Sequence, residues 1–312
     1  MSDNFWINKK VLVTGAHGFV GQNLVNILKN KTGVELLTPT RSECYLTKEI
    51  QVEDFFKKNK PDVVLHLAGK VGGIGANKAK PAEFFYDNIT MGTLITHYAY
   101  LNGVKKIVSL PLSTQSSFRL VGLSRNLPLY MEPLNVLGNR IQQLKKNLII
   151  QSWTYREQYN FDSTVLLPAN LYGPYDNFNL ETSHVVPALI RKFVEAREED
   201  KKSVTVWGTG VASREFLYVG DTVTAIIDAV KCDESGPFNL GTGKETTIKE
   251  LVETISNLTN FKGEIVWDTT KPDGQPRRFY DMSKFEKSFG YVPNTELIEG
   301  LKHTIEWYEK NR

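Results

Sequence analysis

The chain lacks the features that mark several large classes of protein. It holds two cysteines, Cys44 and Cys232, in 312 residues. That is too few, and too widely spaced, for a disulfide framework or a cysteine metal cluster, so no metal site is expected and a reducing, cytoplasmic compartment is the simplest reading. No apolar run approaches the ~18 residues of a membrane span. The first ten residues carry Asp3, Asn4, Asn8 and two lysines ahead of the first apolar run, unlike a signal or transit peptide. Neither sign of charge is in excess, with 38 Lys and Arg against 35 Asp and Glu for a formal net charge of +3. That balance argues against a nucleic-acid or polybasic membrane partner, yet it leaves room for a local basic pocket that holds a small anion.

What is present points to an ordinary globular protein, 41% hydrophobic and 23% charged, with length for one large domain or two intimate ones. Apolar runs Lys10–Thr14, Val34–Leu37, Asp62–Ala68, Lys106–Leu110 and Ser163–Pro168 read as buried strands. Between them, helical spacing appears over Gln22–Asn30, Ile50–Lys58 and Pro81–Asn102. Strands alternating with helices predict an α/β protein with a Rossmann-type parallel sheet covered on both faces. After Asn160 the texture changes. A turn-rich stretch, Asn170 to Ser183, leads to a helix from Val186 to Ala196, the strand Val204–Trp207, helices over Asp221–Val230 and Ile248–Leu258, the strand Glu264–Trp267 and a terminal helix from Glu296 to Lys310. The expected division is a dinucleotide-binding domain over 1–168, with 212–240 returning to it, and a smaller C-terminal α/β substrate-binding region over 169–312. The absence of repeats and low-complexity linkers predicts that the two share a cleft.

Gly15-x-x-Gly18-x-x-Gly21 follows a strand and opens a helix, the context in which glycines allow a tight turn and close approach to a pyrophosphate. Candidate cofactor contacts are Gly15, His17, Gly18, Phe19, Val20 and Gly21 in this turn, with Ala68 at the end of a later strand. His17 either touches the phosphate or merely fills the turn. At the tip of the second strand, where an acidic residue accepts from a ribose 2′-hydroxyl, the chain has Thr38-Pro-Thr-Arg41. An arginine there accommodates a 2′-phosphate, so Arg41 favours NADP over NAD.

Further strings are His66-Leu-Ala-Gly-Lys-Val-Gly-Gly-Ile74, Pro168-Ala-Asn-Leu-Tyr-Gly-Pro174, Asp176-Asn-Phe178, Ser183-His-Val-Val-Pro-Ala-Leu189, Trp207-Gly-Thr-Gly210, Arg214-Glu-Phe-Leu-Tyr218 and Lys271-Pro-Asp-Gly-Gln-Pro-Arg277. Together with the glycine turn they resemble the GDP-L-fucose synthase family of extended short-chain dehydrogenases, in order, over residues 10–108 and 145–312. The resemblance implies an NADP-dependent 3,5-epimerase and 4-reductase that converts GDP-4-keto-6-deoxy-D-mannose to GDP-L-fucose. Such chemistry needs acid/base groups beside C3 and C5, a proton donor for the C4 oxygen, and stabilisation of enolate charge. By resemblance His184 is the epimerisation acid/base, Lys145 the lysine of the reductive pair and a cofactor contact, and Ser113 the serine. The GDP-sugar contacts then fall on Asn170, Val185, Leu189, Lys192, Trp207, Arg214 and Arg277. A homodimer through a four-helix bundle that includes the Lys145 helix is also implied.

One block departs from the family. The tyrosine four residues before Lys145 is Ile141, which cannot donate a proton, and near Leu112-Ser-Thr-Gln115 no cysteine follows the serine. The loss is confined to residues 109–144. Three readings stay open: an altered but working enzyme, a homologue that binds NADP or a nucleotide sugar without turnover, and a local reading-frame disturbance. The confinement favours the last two. Another nucleotide-sugar epimerase or dehydratase is the runner-up activity, against which the Ser183–Leu189 and Lys271–Arg277 strings argue.

Overall fold

A computed structural model describes residues 3–71, 79–111, 136–271, 273–274 and 276–312, with only the helical backbone given for 136–146. The main sheet has six strands: β1 (Lys10–Thr14), β2 (Glu35–Leu37), β3 (Val63–His66), β4 (Lys106–Ser109), β5 (Ser163–Pro168) and β10 (Phe238–Leu240). Their order is β10-β5-β4-β3-β1-β2, and every neighbouring pair is parallel. Parallel pairing forces the chain to cross over between strands. Those crossovers are α1 (Phe19–Leu28), α2 (Glu49–Asn59), α3 (Pro81–Leu101) and α4 (Val136–Tyr159).

Successive residues of β1 supply opposite faces of the sheet. Val11 and Val13 join the core beneath α1 and α6 (Val219–Lys231), which also takes in Leu24, Leu28, Val223 and Ile226. Leu12 joins the other core, with Val52, Phe56, Ile95 and Ala99 from α2 and α3. Burial on both sides explains why these strands read as continuous apolar runs and not as alternation. The chain leaves β1 for β2 on one side and returns to β3 on the other, and a doubly wound sheet takes its ligands at that switch point, beyond the carboxyl ends of the strands.

A third core lies under α5 (Val185–Glu198), α7 (Ile248–Leu258) and α9 (Leu297–Asn311), around Ile190, Phe193, Val206, Leu251, Ile255 and Leu301. The strands beside it are short: β7 (Ser203–Trp207) pairs in parallel with β12 (Glu264–Asp268), and β8 (Ser213–Arg214) pairs antiparallel with β11 (Thr246–Thr247). The turn-rich stretch after Pro168 differs from expectation at its start. Asn170–Tyr172 forms β6, parallel to β9 (Phe216–Tyr218). Three residues are too few to show a period, and only pairing with a distant partner makes them a strand. A short helix, α8 (Ser283–Phe289), packs on β10 through Phe285 and Phe289 against Phe238. No described helix is long and apolar enough to cross a membrane.

Candidate active site

The glycine turn closes at the carboxyl end of β1. Gly15 has φ +72°, and a Cβ there would stand 2.8 Å from the Ala68 amide nitrogen. A Cβ on Gly21 would meet the Gly15 carbonyl oxygen at 2.0 Å. Both positions therefore require glycine, and the result is a backbone cradle at the amino end of α1, where unpaired N–H groups and the helix dipole favour an anion. The neighbouring strand end is fixed from below. Buried His66 Nδ1 lies 2.7 Å from Thr14 Oγ1, which also accepts from the Ala68 N–H at 3.3 Å. Burial pushes the His66 imidazole down to about 4, so it stays neutral and holds the two strand ends together without adding charge.

Two cavities flank this turn. One, of about 300 Å³, is lined by Gly15, His17, Gly18, Thr40, Arg41, Tyr45, Ala68 and Lys70 among others. Arg41 sits over the Tyr45 ring at 5.8 Å. The first carboxylate after the strand tip, Glu43, is occupied by the Thr40 N–H at 2.7 Å and the Thr40 hydroxyl at 2.8 Å. The Arg41 face is thus the cationic one, which suits a 2′-phosphate. His17 bonds the Thr38 carbonyl through Nε2 at 3.2 Å, so the histidine fastens the turn to the β2 tip. Lys70 is engaged by Asp87 at 2.8 Å and Glu83 at 3.3 Å.

The second cavity, of about 390 Å³, opens on the other side of the turn. It is lined by Gly15, Phe19, Val20, Gly21, Ala68, Tyr175, Asp176, Ser183 and His184 among others. His184 is the residue before α5 and makes no side-chain capping bond. Burial lowers its imidazole below the ordinary histidine range, so it is a neutral base at physiological pH. The loop that delivers it is stitched by asparagines: Asn177 donates to Thr182 Oγ1 at 2.9 Å, and the Asn179 side chain accepts from the Glu181 N–H at 2.9 Å. It is also tied to the dinucleotide helix. Asn23 of α1 donates to the Pro174 carbonyl at 2.8 Å and Asn26 to the Tyr175 hydroxyl at 3.1 Å.

A third cavity, of about 200 Å³, gathers Asn170, Val185, Trp207 and Arg214 with Ile248 and Asp273. Trp207 is 65% exposed, with the Lys271 ammonium 5.6 Å from its ring centroid, so its indole offers an apolar face at the cavity mouth. The structure does not bring the other predicted sugar-nucleotide residues into this wall. Leu189 is buried in the third core with Val186, Ile190 and Phe193. Lys192 donates to the Thr205 carbonyl at 3.3 Å. Arg277 is exposed and held by Glu245, its Nε donating at 2.8 and 2.9 Å. Ser113 lies outside the described residues, as do the side chains of Ile141 and Lys145, although both of these fall on α4.

Sequence reasoning missed Glu215. Its carboxylate is wholly buried and accepts from Thr242 N–H at 2.5 Å, Gly243 N–H at 2.8 Å and Tyr280 N–H at 3.0 Å. Its carbonyl accepts from the Asn170 side chain at 2.9 Å. It therefore anchors the back of the third cavity, next to Arg214. Its only mark in the sequence is a charge directly ahead of the apolar Phe216–Tyr218 run, and a charge buried there survives only if paired.

Residues 11–241 match the NAD dependent epimerase/dehydratase family. The chain belongs to that family. Within it, GDP-L-fucose synthase 1 of Arabidopsis thaliana is 39% identical over 100% of this chain and 95% of its own length. Among solved structures, a GDP-6-OMe-4-keto-L-xylo-heptose reductase from C. jejuni superposes with a TM-score of 0.87 at 29% identity, covering 100% of this chain and 99% of that one. A GDP-L-fucose synthetase from Naegleria fowleri bound to NADP gives 0.83 at 26% identity, covering 98% and 95%.

Proposed function

We propose that the protein is a GDP-L-fucose synthase, an NADP-dependent epimerase-reductase that acts on GDP-4-keto-6-deoxy-D-mannose. One observation carries the reading. A single glycine turn separates an arginine-bearing cavity from one holding a neutral histidine, in a chain akin to a GDP-L-fucose synthase along its whole length. Residues 1–168 with 212–240 form the dinucleotide half, and 169–312 the sugar-nucleotide half.

The residues divide the work by their chemistry. The Gly15–Gly21 cradle holds the pyrophosphate and Arg41 the 2′-phosphate. Arg214, with Asn170, Val185 and Trp207, receives the GDP end; its guanidinium forks onto diphosphate oxygens and the indole covers an apolar face. His184 takes the proton from carbon beside the ketone, leaving an enolate. NADPH, when bound, supplies the hydride for C4. Lys145 and Ser113 serve the C4 oxygen by family resemblance, but the phenol expected beside Lys145 is replaced by Ile141. That substitution favours a second reading, a homologue that binds NADP or the nucleotide sugar without turning it over.

Exposed Phe85, Tyr86 and Leu101 on α3, with Ile150 and Tyr159 on α4, support a homodimer through these helices. The two free cysteines support a reducing, cytoplasmic setting.

The deciding experiment mixes purified protein, NADPH and the keto sugar, and follows loss of NADPH absorbance together with the product sugar. Turnover in the parent removes the second reading, and NADPH binding without turnover supports it. In that case Ile141→Tyr is expected to raise reduction by about 10²–10⁴-fold, the usual worth of a placed general acid.

A further inference from the structure

Epimerisation inverts a carbon: the proton leaves one face and another arrives on the opposite face. One imidazole fixed ahead of a helix serves one face, so a second proton-carrying group is required. Of the two cysteines, Cys44 lines the Arg41 cavity and neither lines the His184 cavity. Among the described residues, the titratable side chains that do line it are His17, Tyr175, Asp176 and His184. His17 is bonded to the Thr38 carbonyl, and the Tyr175 hydroxyl accepts from Asn26. Asp176 remains.

Its surroundings are unusual for a carboxyl in a turn. Tyr175 before it has φ +68°, a left-handed conformation that aromatic residues seldom adopt and that marks an over-determined site. Asp176 Oδ1 accepts from the Asn177 N–H at 2.7 Å, whereas Oδ2 is buried with no hydrogen-bond partner. Ser183 Oγ, in the same cavity wall, is likewise buried and unpartnered. No ion pair to Asp176 occurs among the described residues. A carboxyl without a cation, with one oxygen shut away from water, resists ionisation, and burial pushes it up to about 7.

We propose that Asp176 is the second proton-transfer residue of this cavity, a carboxylic acid that returns a proton to the carbon from which His184 removes one. The inference rests on the epimerase reading above. The His184 imidazole takes the proton, and the electron pair of the C–H bond becomes the enolate. That pair then forms a new C–H bond with the Asp176 proton, leaving a carboxylate. The imidazolium returns its proton to the carboxylate, and both groups are neutral again. The pair suits the task because burial moves the two groups in opposite directions, keeping the histidine a base and the aspartate an acid at the same pH.

The test compares parent, Asp176→Asn and Asp176→Glu by deuterium uptake from D2O at C3 and C5 of the keto sugar, with NADPH affinity measured alongside. Asp176→Asn is expected to lower uptake by about 10²–10⁴-fold with NADPH affinity unchanged, and Asp176→Glu to restore part of it. Uptake at the parent's rate in Asp176→Asn overturns the proposal. A second measurement does not depend on turnover. In protein labelled with ¹³C-carboxyl aspartate, the resonance missing from Asp176→Asn should titrate near 7, and titration in the ordinary carboxylate range overturns the proposal. If the parent itself takes up no deuterium, the epimerase reading fails, while the titration still decides whether Asp176 is the neutral acid.

Discussion

Glu215→Gln tests how far the third cavity depends on one buried carboxyl group. The carboxylate gathers three backbone N–H groups from two segments, Thr242 and Gly243 on one oxygen and Tyr280 on the other. Gln can keep its carbonyl oxygen toward Thr242 and Gly243, but its NH₂ then faces the Tyr280 N–H, donor against donor. The loss is one hydrogen bond to a charged group, about 1.5–3 kcal/mol. At roughly 2–4 °C per kcal/mol for a large domain, the melting midpoint should fall by about 3–12 °C. Glu215→Ala would be less informative. It orphans three buried donors at about 1–3 kcal/mol each, comparable to the whole ~5–15 kcal/mol that holds a domain folded. The assay is thermal and urea unfolding of parent and Glu215→Gln, with binding of GDP and of NADPH measured on each. Weaker GDP binding with intact NADPH binding should accompany the lost stability, because the Glu215 carbonyl also holds Asn170. Unfolding at the parent's midpoint would refute the account of Glu215 as the staple between these segments.

Gly21→Ala should abolish NADPH binding, since the added carbon would lie 2.0 Å from the Gly15 carbonyl oxygen and the cradle cannot close around it; fluorescence titration of NADPH checks this. Arg41→Ala should weaken NADPH by about 1.5–3 kcal/mol, the worth of a hydrogen bond to a charged group, and leave NADH almost untouched; equal loss for both would place the 2′-phosphate elsewhere. Asp176 predicts an inverted pH dependence. Its folded value of about 7 lies above the ordinary 3.8, so between those limits the folded chain keeps a proton that the unfolded chain has released. Stability should therefore fall as pH rises through that window, by up to about 4 kcal/mol, and Asp176→Asn should flatten the slope in urea unfolding.

The dinucleotide half was the more legible. Its strands are buried on both faces and so appear as unbroken apolar runs, and steric demands at Gly15 and Gly21 leave a mark in residue type. β6 and β10 left none, because three residues carry no period and exist as strands only through pairing with β9 and β5. In the site, Arg41 and His184 stood out by position within a motif. Leu189 was assigned to the ligand by its place in the Ser183–Leu189 string, although its spacing from Val186, Ile190 and Phe193 marks a core-facing stripe. Asp176 was hidden for a different reason. An aspartate between tyrosine and asparagine in a turn-rich stretch reads as a turn former, and only the burial of one oxygen distinguishes it from many others.

The bond from Asn23 to the Pro174 carbonyl joins the helix that faces the pyrophosphate to the loop that ends on His184. On the proposed assignment of the two cavities, a ligand that moves α1 also moves that loop, and dinucleotide before sugar nucleotide is the order of addition expected in initial-rate kinetics.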